Sequence, residues 1–88
     1  MILKLQFFSE KGLEKQSDEA LYKGIKSLEQ RIQLHERKIS SPETFYPEWS
    51  SLDEREKAGS VRHWEKEIAN FRESIQNRVD ELKKRGRW

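Results

Sequence analysis

The stretch "VRHWEKEIANFRESIQNRVDELKKRG", residues 61–86, carries the pattern that decides the fold. Val61, Trp64, Ile68, Phe71, Ile75, Val79 and Leu82 succeed one another at steps of three or four, the spacing that stacks side chains on one face of an α-helix. Polar and charged residues fill the other faces. Gly86 stands just past the last apolar position, where a chain leaves a helix most readily through a left-handed cap that glycine adopts without strain. The spacing predicts a long helix over about 60–85.

Working outward, "SDEALYKGIKSLEQRIQLHERKIS", residues 17–40, holds a second stripe made of Leu21, Ile25, Leu28, Ile32, His35 and Ile39. Ser17 is a good N-cap. Asp18 and Glu19 put negative charge at the positive end of the helix dipole, and Arg37 with Lys38 put positive charge at the other. A helix over about 18–39 follows. Gly24 inside it costs about 1 kcal/mol relative to alanine, which implies either a close approach by another segment or a tolerated surface glycine.

Between the stripes lies "SSPETFYPEWSSLDE", residues 40–54, in which Pro42 and Pro47 interrupt helical hydrogen bonding. Ser51 with Glu54 matches a capping box, and Trp49 is placed to cover the entry to the next helix. A short helix over about 52–58 is expected, ended by Gly59. Laid antiparallel, the two long stripes set Ile39 beside Val61, Ile32 beside Ile68, Leu28 beside Phe71, Ile25 beside Ile75 and Leu21 beside Val79. The expected fold is all-α: an antiparallel helical hairpin over 17–88 with coiled-coil-like packing and Phe71 central to its seam.

A two-helix hairpin has one buried seam and two flanks that see water, and a chain of 88 residues with 33% hydrophobic and 39% charged residues has little else to bury. The start "MILKLQFFSE" offers apolar material for that purpose. Leu3, Leu5, Phe7 and Phe8 make residues 1–16 an extended docking segment. It can add to a partner's sheet edge, pair with its twin in a homodimer, or lie across the hairpin near Val79 and Leu82. Gln6 and the polar run from Ser9 stop it short of a signal-peptide core or a membrane span, so neither export nor a membrane is expected. The chain has no cysteine, which excludes disulfides and thiolate metal sites and fits the cytoplasm.

Catalytic chemistry has few candidates here. His63 and Glu67 are one helical turn apart and the register brings His35 close to Trp64, but spacing fixes no third strong ligand, so neither metal nor cofactor is expected. There is no Ser-His-Asp arrangement on a strand-turn-helix and no glycine loop for phosphate, and no enzymatic activity is expected. The net charge is only +2, with two local departures. Residues 43–57 hold five acids against two bases, and residues 78–88 hold five bases against two acids. Arg78, Lys83, Lys84, Arg85 and Arg87, with Trp88 available for stacking, make nucleic-acid binding the weaker alternative; cations at a helix C-terminus are also what the helix dipole favours. Tryptophan and arginine are common anchors in protein interfaces, and with Trp64 assigned to the core, Trp49 and Trp88 are the candidate anchors.

Three strings, "LKLQFFSEKGLEKQS" at 3–17, "IKSLEQRIQLHERKISSPE" at 25–43 and the stretch 61–86, together resemble a family of small proteins of phages and prophages of Gram-positive bacteria. "LQFFSEK" at 5–11 also resembles the N-termini of some head-region phage proteins. The resemblance spans nearly the whole chain and contains no catalytic motif. It implies a non-catalytic, phage-encoded interaction protein in the cytoplasm of a bacterial host or associated with the virion. Its partner would be a phage structural protein, in head assembly, or a host defence enzyme that it inhibits.

Overall fold

A computed structural model describes residues 12–88, so the docking role expected of Leu3, Leu5, Phe7 and Phe8 lies outside the described residues. From Asp18 onward the described residues form helices α1 (Asp18–Ser40), α2 (Pro42–Phe45) and α3 (Glu54–Lys84), with a 3-10 turn at Trp49–Ser51 between α2 and α3. Helices α1 and α3 pack side by side as an antiparallel hairpin, 14 Å across in its thinnest direction.

The ends of α1 form where local chemistry places them. The Ser17 hydroxyl accepts from the Ala20 amide at 3.1 Å, Asp18 and Glu19 occupy the first turn, and Arg37 and Lys38 the last. Pro42 then opens α2, where its missing amide donor goes unneeded, and its side chain is buried.

The entry to α3 differs from the expected one. The N-cap is Asp53, whose side-chain oxygen accepts from the Glu56 amide at 2.8 Å, while Ser51 belongs to the preceding 3-10 turn. No break occurs at Gly59: the residues expected as a separate short helix over 52–58 supply the first turn of α3 from Glu54 onward, and the helix runs unbroken to Lys84. A single glycine costs a helix about 1 kcal/mol, too little to stop one whose next turns bury Trp64 and Ile68. At its far end α3 closes as the sequence predicts. Gly86 takes φ of 73°, the Arg87 amide donates to the Leu82 carbonyl at 2.8 Å, and the Gly86 amide donates to the Lys83 carbonyl at 3.0 Å. That pair of bonds is a Schellman cap, which requires the left-handed residue that glycine provides.

The core lies on the expected seam but is weighted toward the end away from the connection. Leu21, Ile25, Val79 and Leu82 cluster there with Ile75 against them, and Leu21 and Leu82 are fully enclosed. Leu13 joins this cluster, so the hairpin core begins inside the stretch assigned to the docking segment. Ile32, Ile68, His35 and Trp64 continue the seam toward the connection. Phe71 is only half-buried, against the expectation that it would be central; it meets the His35 ring edge-on at 5.2 Å. A layer this thin encloses a single line of side chains, and a large ring in mid-seam keeps one side in water. Of the two readings of Gly24, the structure shows the close approach, and a side chain makes it: a methyl group there would lie 2.9 Å from Arg78 Nε.

Arg85 ties the open end together. Its Nε donates to Glu81 Oε2 at 2.8 Å, Nη1 to Asp18 Oδ1 at 2.9 Å, and Nη2 to the carbonyls of Leu13 and Glu14 at 3.0 and 3.2 Å. The hydrogen bond to Asp18, then that to Glu81, raises the Arg85 guanidinium above its ordinary pKa.

Replacing Leu82 with alanine removes a fully enclosed side chain and is expected to cost about 3 kcal/mol, more than Phe71→Ala at its half-buried position; denaturant unfolding followed by circular dichroism measures both. Arg85→Lys keeps the charge but cannot reach acceptors on three sides. Its thermal midpoint should fall nearly as far as that of Arg85→Ala, and a lysine that restores the midpoint would show that charge alone holds this end.

Candidate functional site

The connection between α1 and α3 folds into an aromatic tip. Pro47 and the 3-10 turn reverse the chain so that Tyr46 and Trp49 return onto Trp64, which rises from the third turn of α3. The Trp49 amide donates to the Tyr46 carbonyl at 2.9 Å and the Leu52 amide to the Trp49 carbonyl at 3.1 Å, which fixes the two rings relative to each other. Tyr46 stacks on Trp64 with centroids 5.7 Å apart and planes 13° apart, and Trp49 stacks on it at 5.6 Å and 25°. Offset stacking of this kind adds about 0.5–1.5 kcal/mol per pair beyond area burial.

Trp64 is 6% exposed and belongs to the seam, as the sequence predicts, whereas Tyr46 remains 42% exposed and Trp49 is half-buried. Beside them opens a concavity of about 640 Å³, lined by the three rings together with Glu48, Leu52, Glu56, Gly59, Ser60 and His63. Ligand sites commonly combine such apolar walls with a few placed polar groups. Just below it, the Glu67 carboxylate accepts from His63 Nε2 at 2.7 Å and stands 3.2 Å from His35 Nε2, while His35 Nδ1 donates to the Arg31 carbonyl at 2.9 Å. The one-turn spacing of His63 and Glu67 noted in the sequence places the two side chains in contact. Among the described residues no group of three or more His, Cys, Asp or Glu side chains is placed to hold a metal ion.

The two candidate anchors lie at opposite ends of the hairpin. Trp49 forms a wall of the concavity. Trp88 is 61% exposed and stacks on Tyr22 with centroids 6.4 Å apart, next to the bond from the Tyr22 hydroxyl to the Arg87 carbonyl. The five basic residues considered for nucleic acid divide in the structure. Arg78 lies across Gly24, donates from Nη1 to the Ser74 carbonyl at 3.0 Å, and has its guanidinium pKa lowered by burial. Arg85 is held as described above, and Arg87 Nε is 3.3 Å from Asp18 Oδ2. Lys83 and Lys84 alone of the five are exposed without such a contact among the described residues.

Sequence reasoning found Trp49 and assigned Trp64 to the core, but it did not bring Tyr46, Glu48, Glu56, Gly59, Ser60 and His63 to one place. A signal was available. Glu56, Gly59, Ser60 and His63 share one face of a helix at steps of three and four, which becomes visible once Gly59 is read as interior to α3. No helix among the described residues is long and apolar enough to cross a membrane. Comparison with protein-family models, with curated proteins and with solved structures finds no match for this chain.

Proposed function

We propose that this chain is a non-catalytic protein-interaction module that receives its partner at the aromatic tip. The observation that carries this reading is the open concavity walled by Tyr46, Trp49 and Trp64 on a rigid hairpin. Buried aromatic anchors dominate interface energetics, and rings already stacked lose little freedom when a partner covers them. The polar groups at the concavity suit recognition: His63 turns Nε2 to Glu67, and Glu48 and Glu56 stand at an open surface.

The resemblance of the N-terminal segment and of both helical stripes to small phage proteins extends the reading to an accessory role beside phage head assembly, with a phage structural protein as partner. The acidic connection favours one alternative. With five acids against two bases over 43–57, the tip also suits the basic surface of a host enzyme, such as a defence nuclease, that the chain would inhibit. Nucleic-acid binding through Arg78, Lys83, Lys84, Arg85 and Arg87 draws less support, because three of the five are engaged within the chain.

Affinity capture from bacterial host cells, with and without phage infection, tests the proposal when wild type is run beside Tyr46→Ala. Losing one stacked pair should lower hairpin stability by about 0.5–1.5 kcal/mol beyond the area the ring buries, while reducing capture of a phage structural protein at least about tenfold. A host enzyme captured with the same dependence on Tyr46 would select the inhibitor reading. Equal recovery by both chains would remove the tip from the interface.

A further inference from the structure

Gly59 has no packing reason to be glycine. It sits in the second turn of a 31-residue helix, where glycine is unfavourable, its φ is not positive, and a methyl group built on it would meet nothing within 4 Å. Gly24 is different, because there Arg78 fills the space that a side chain would need. What Gly59 does is leave one wall of the tip concavity bare. Tyr46, Trp49 and Trp64 line the same concavity, together with the exposed Glu48 and Glu56. Neither carboxylate has a hydrogen-bond or ion-pair partner among the described residues, whereas the nearby Lys57 is directed to Glu54 at 3.9 Å and His63 to Glu67.

Given the docking role proposed for the tip, we infer that the concavity receives an arginine side chain of the partner protein. A guanidinium is planar and weakly hydrated, so it lies against stacked indole and phenol rings, whose faces are electron-rich. Its N–H groups reach outward in the plane and need acceptors, which the carboxylates of Glu48 and Glu56 in the lining can supply. An apolar side chain would use the rings and leave both carboxylates desolvated without donors. A lysine would present a compact charge without a flat face to match the walls. The bare wall at Gly59 supplies the depth for the side chain's methylene stem.

The test uses the full chain labelled with ¹⁵N and the peptide acetyl-Gly-Arg-Gly-amide, with citrulline in place of arginine as the neutral isostere. Saturable shifts are expected at the indole N–H signals of Trp49 and Trp64 and at the Gly59 amide, with the citrulline peptide binding roughly fivefold more weakly. Glu48→Gln combined with Glu56→Gln should reduce the arginine peptide to the citrulline level. Gly59→Leu should melt no lower than wild type and yet lose the arginine shifts, because it trades a glycine for a strong helix former while filling the concavity. Equal binding of the two peptides, unsaturable shifts, shifts confined to other residues, or a Gly59→Leu chain that still binds would each overturn the inference. Failure here is separable from failure of the docking role. If Tyr46→Ala loses the captured partner while the double glutamine variant keeps it, the tip docks a protein but not through an arginine. If the arginine peptide binds as described while Tyr46→Ala captures its partner normally, the concavity exists for another ligand than that partner.

Discussion

The guanidinium of Arg85 joins three parts of the chain that would otherwise part company. A pair of helices offers one seam, and the end of a seam is where side chains lose neighbours and the helices begin to separate. Here Arg85 donates to Glu81 on its own helix, to Asp18 at the start of α1, and to the carbonyls of Leu13 and Glu14 ahead of α1. Those last two bonds seat Leu13 over Leu21, Ile25 and Leu82 and close the core. The Schellman cap makes this geometry available. By turning the chain at Gly86 it brings Arg87 to the second oxygen of Asp18 and lets Tyr22 bond the Arg87 carbonyl, so one acidic residue orders two arginines and the chain beyond them.

Much of this was legible in the sequence, and the exceptions share a cause. The stripes, the Ser17 cap, the charge at both ends of α1 and the glycine cap at Gly86 are local features, decided within a few residues of chain. The hairpin follows from them because only one partner for each stripe exists. Gly59 was misjudged by a rule that is also local. Glycine ends a helix when nothing beyond it is buried, and the enclosure of Trp64 and Ile68 by α1 is a tertiary fact. Phe71 fits the stripe as well as Ile68 does, and only the thinness of the layer leaves it half in water. The basic C-terminal run looked free because its acid, Asp18, is 67 residues away from Arg85 in sequence. The concavity was invisible for the same reason: Tyr46 and Trp64 meet across a turn whose path no dipeptide specifies.

The hairpin is thus finished differently at its two ends. At one, arginines, acids and carbonyls satisfy one another and enclose leucines. At the other, three rings satisfy one another while carboxylates and a bare helix wall face outward. A surface whose polar groups are already paired has little to offer a partner, whereas preorganised rings beside unpaired charge lose little entropy on contact. That contrast, more than any single residue, is what supports the proposal of an interface at the tip.

Because α1 and α3 are antiparallel and joined at the tip, Leu13 and Arg87 leave the hairpin at the same end. Sequence separation between facing residues therefore grows steadily along the molecule, from 36 for Glu36 with Arg72 to 72 for Leu13 with Arg85. Loop-closure entropy makes the short separations the less costly ones to close, which favours assembly as a zipper from the tip outward. A tension applied between Leu13 and Arg87 runs that zipper backward. It loads the contacts one rung at a time, beginning with Arg85, and never shears the whole seam at once.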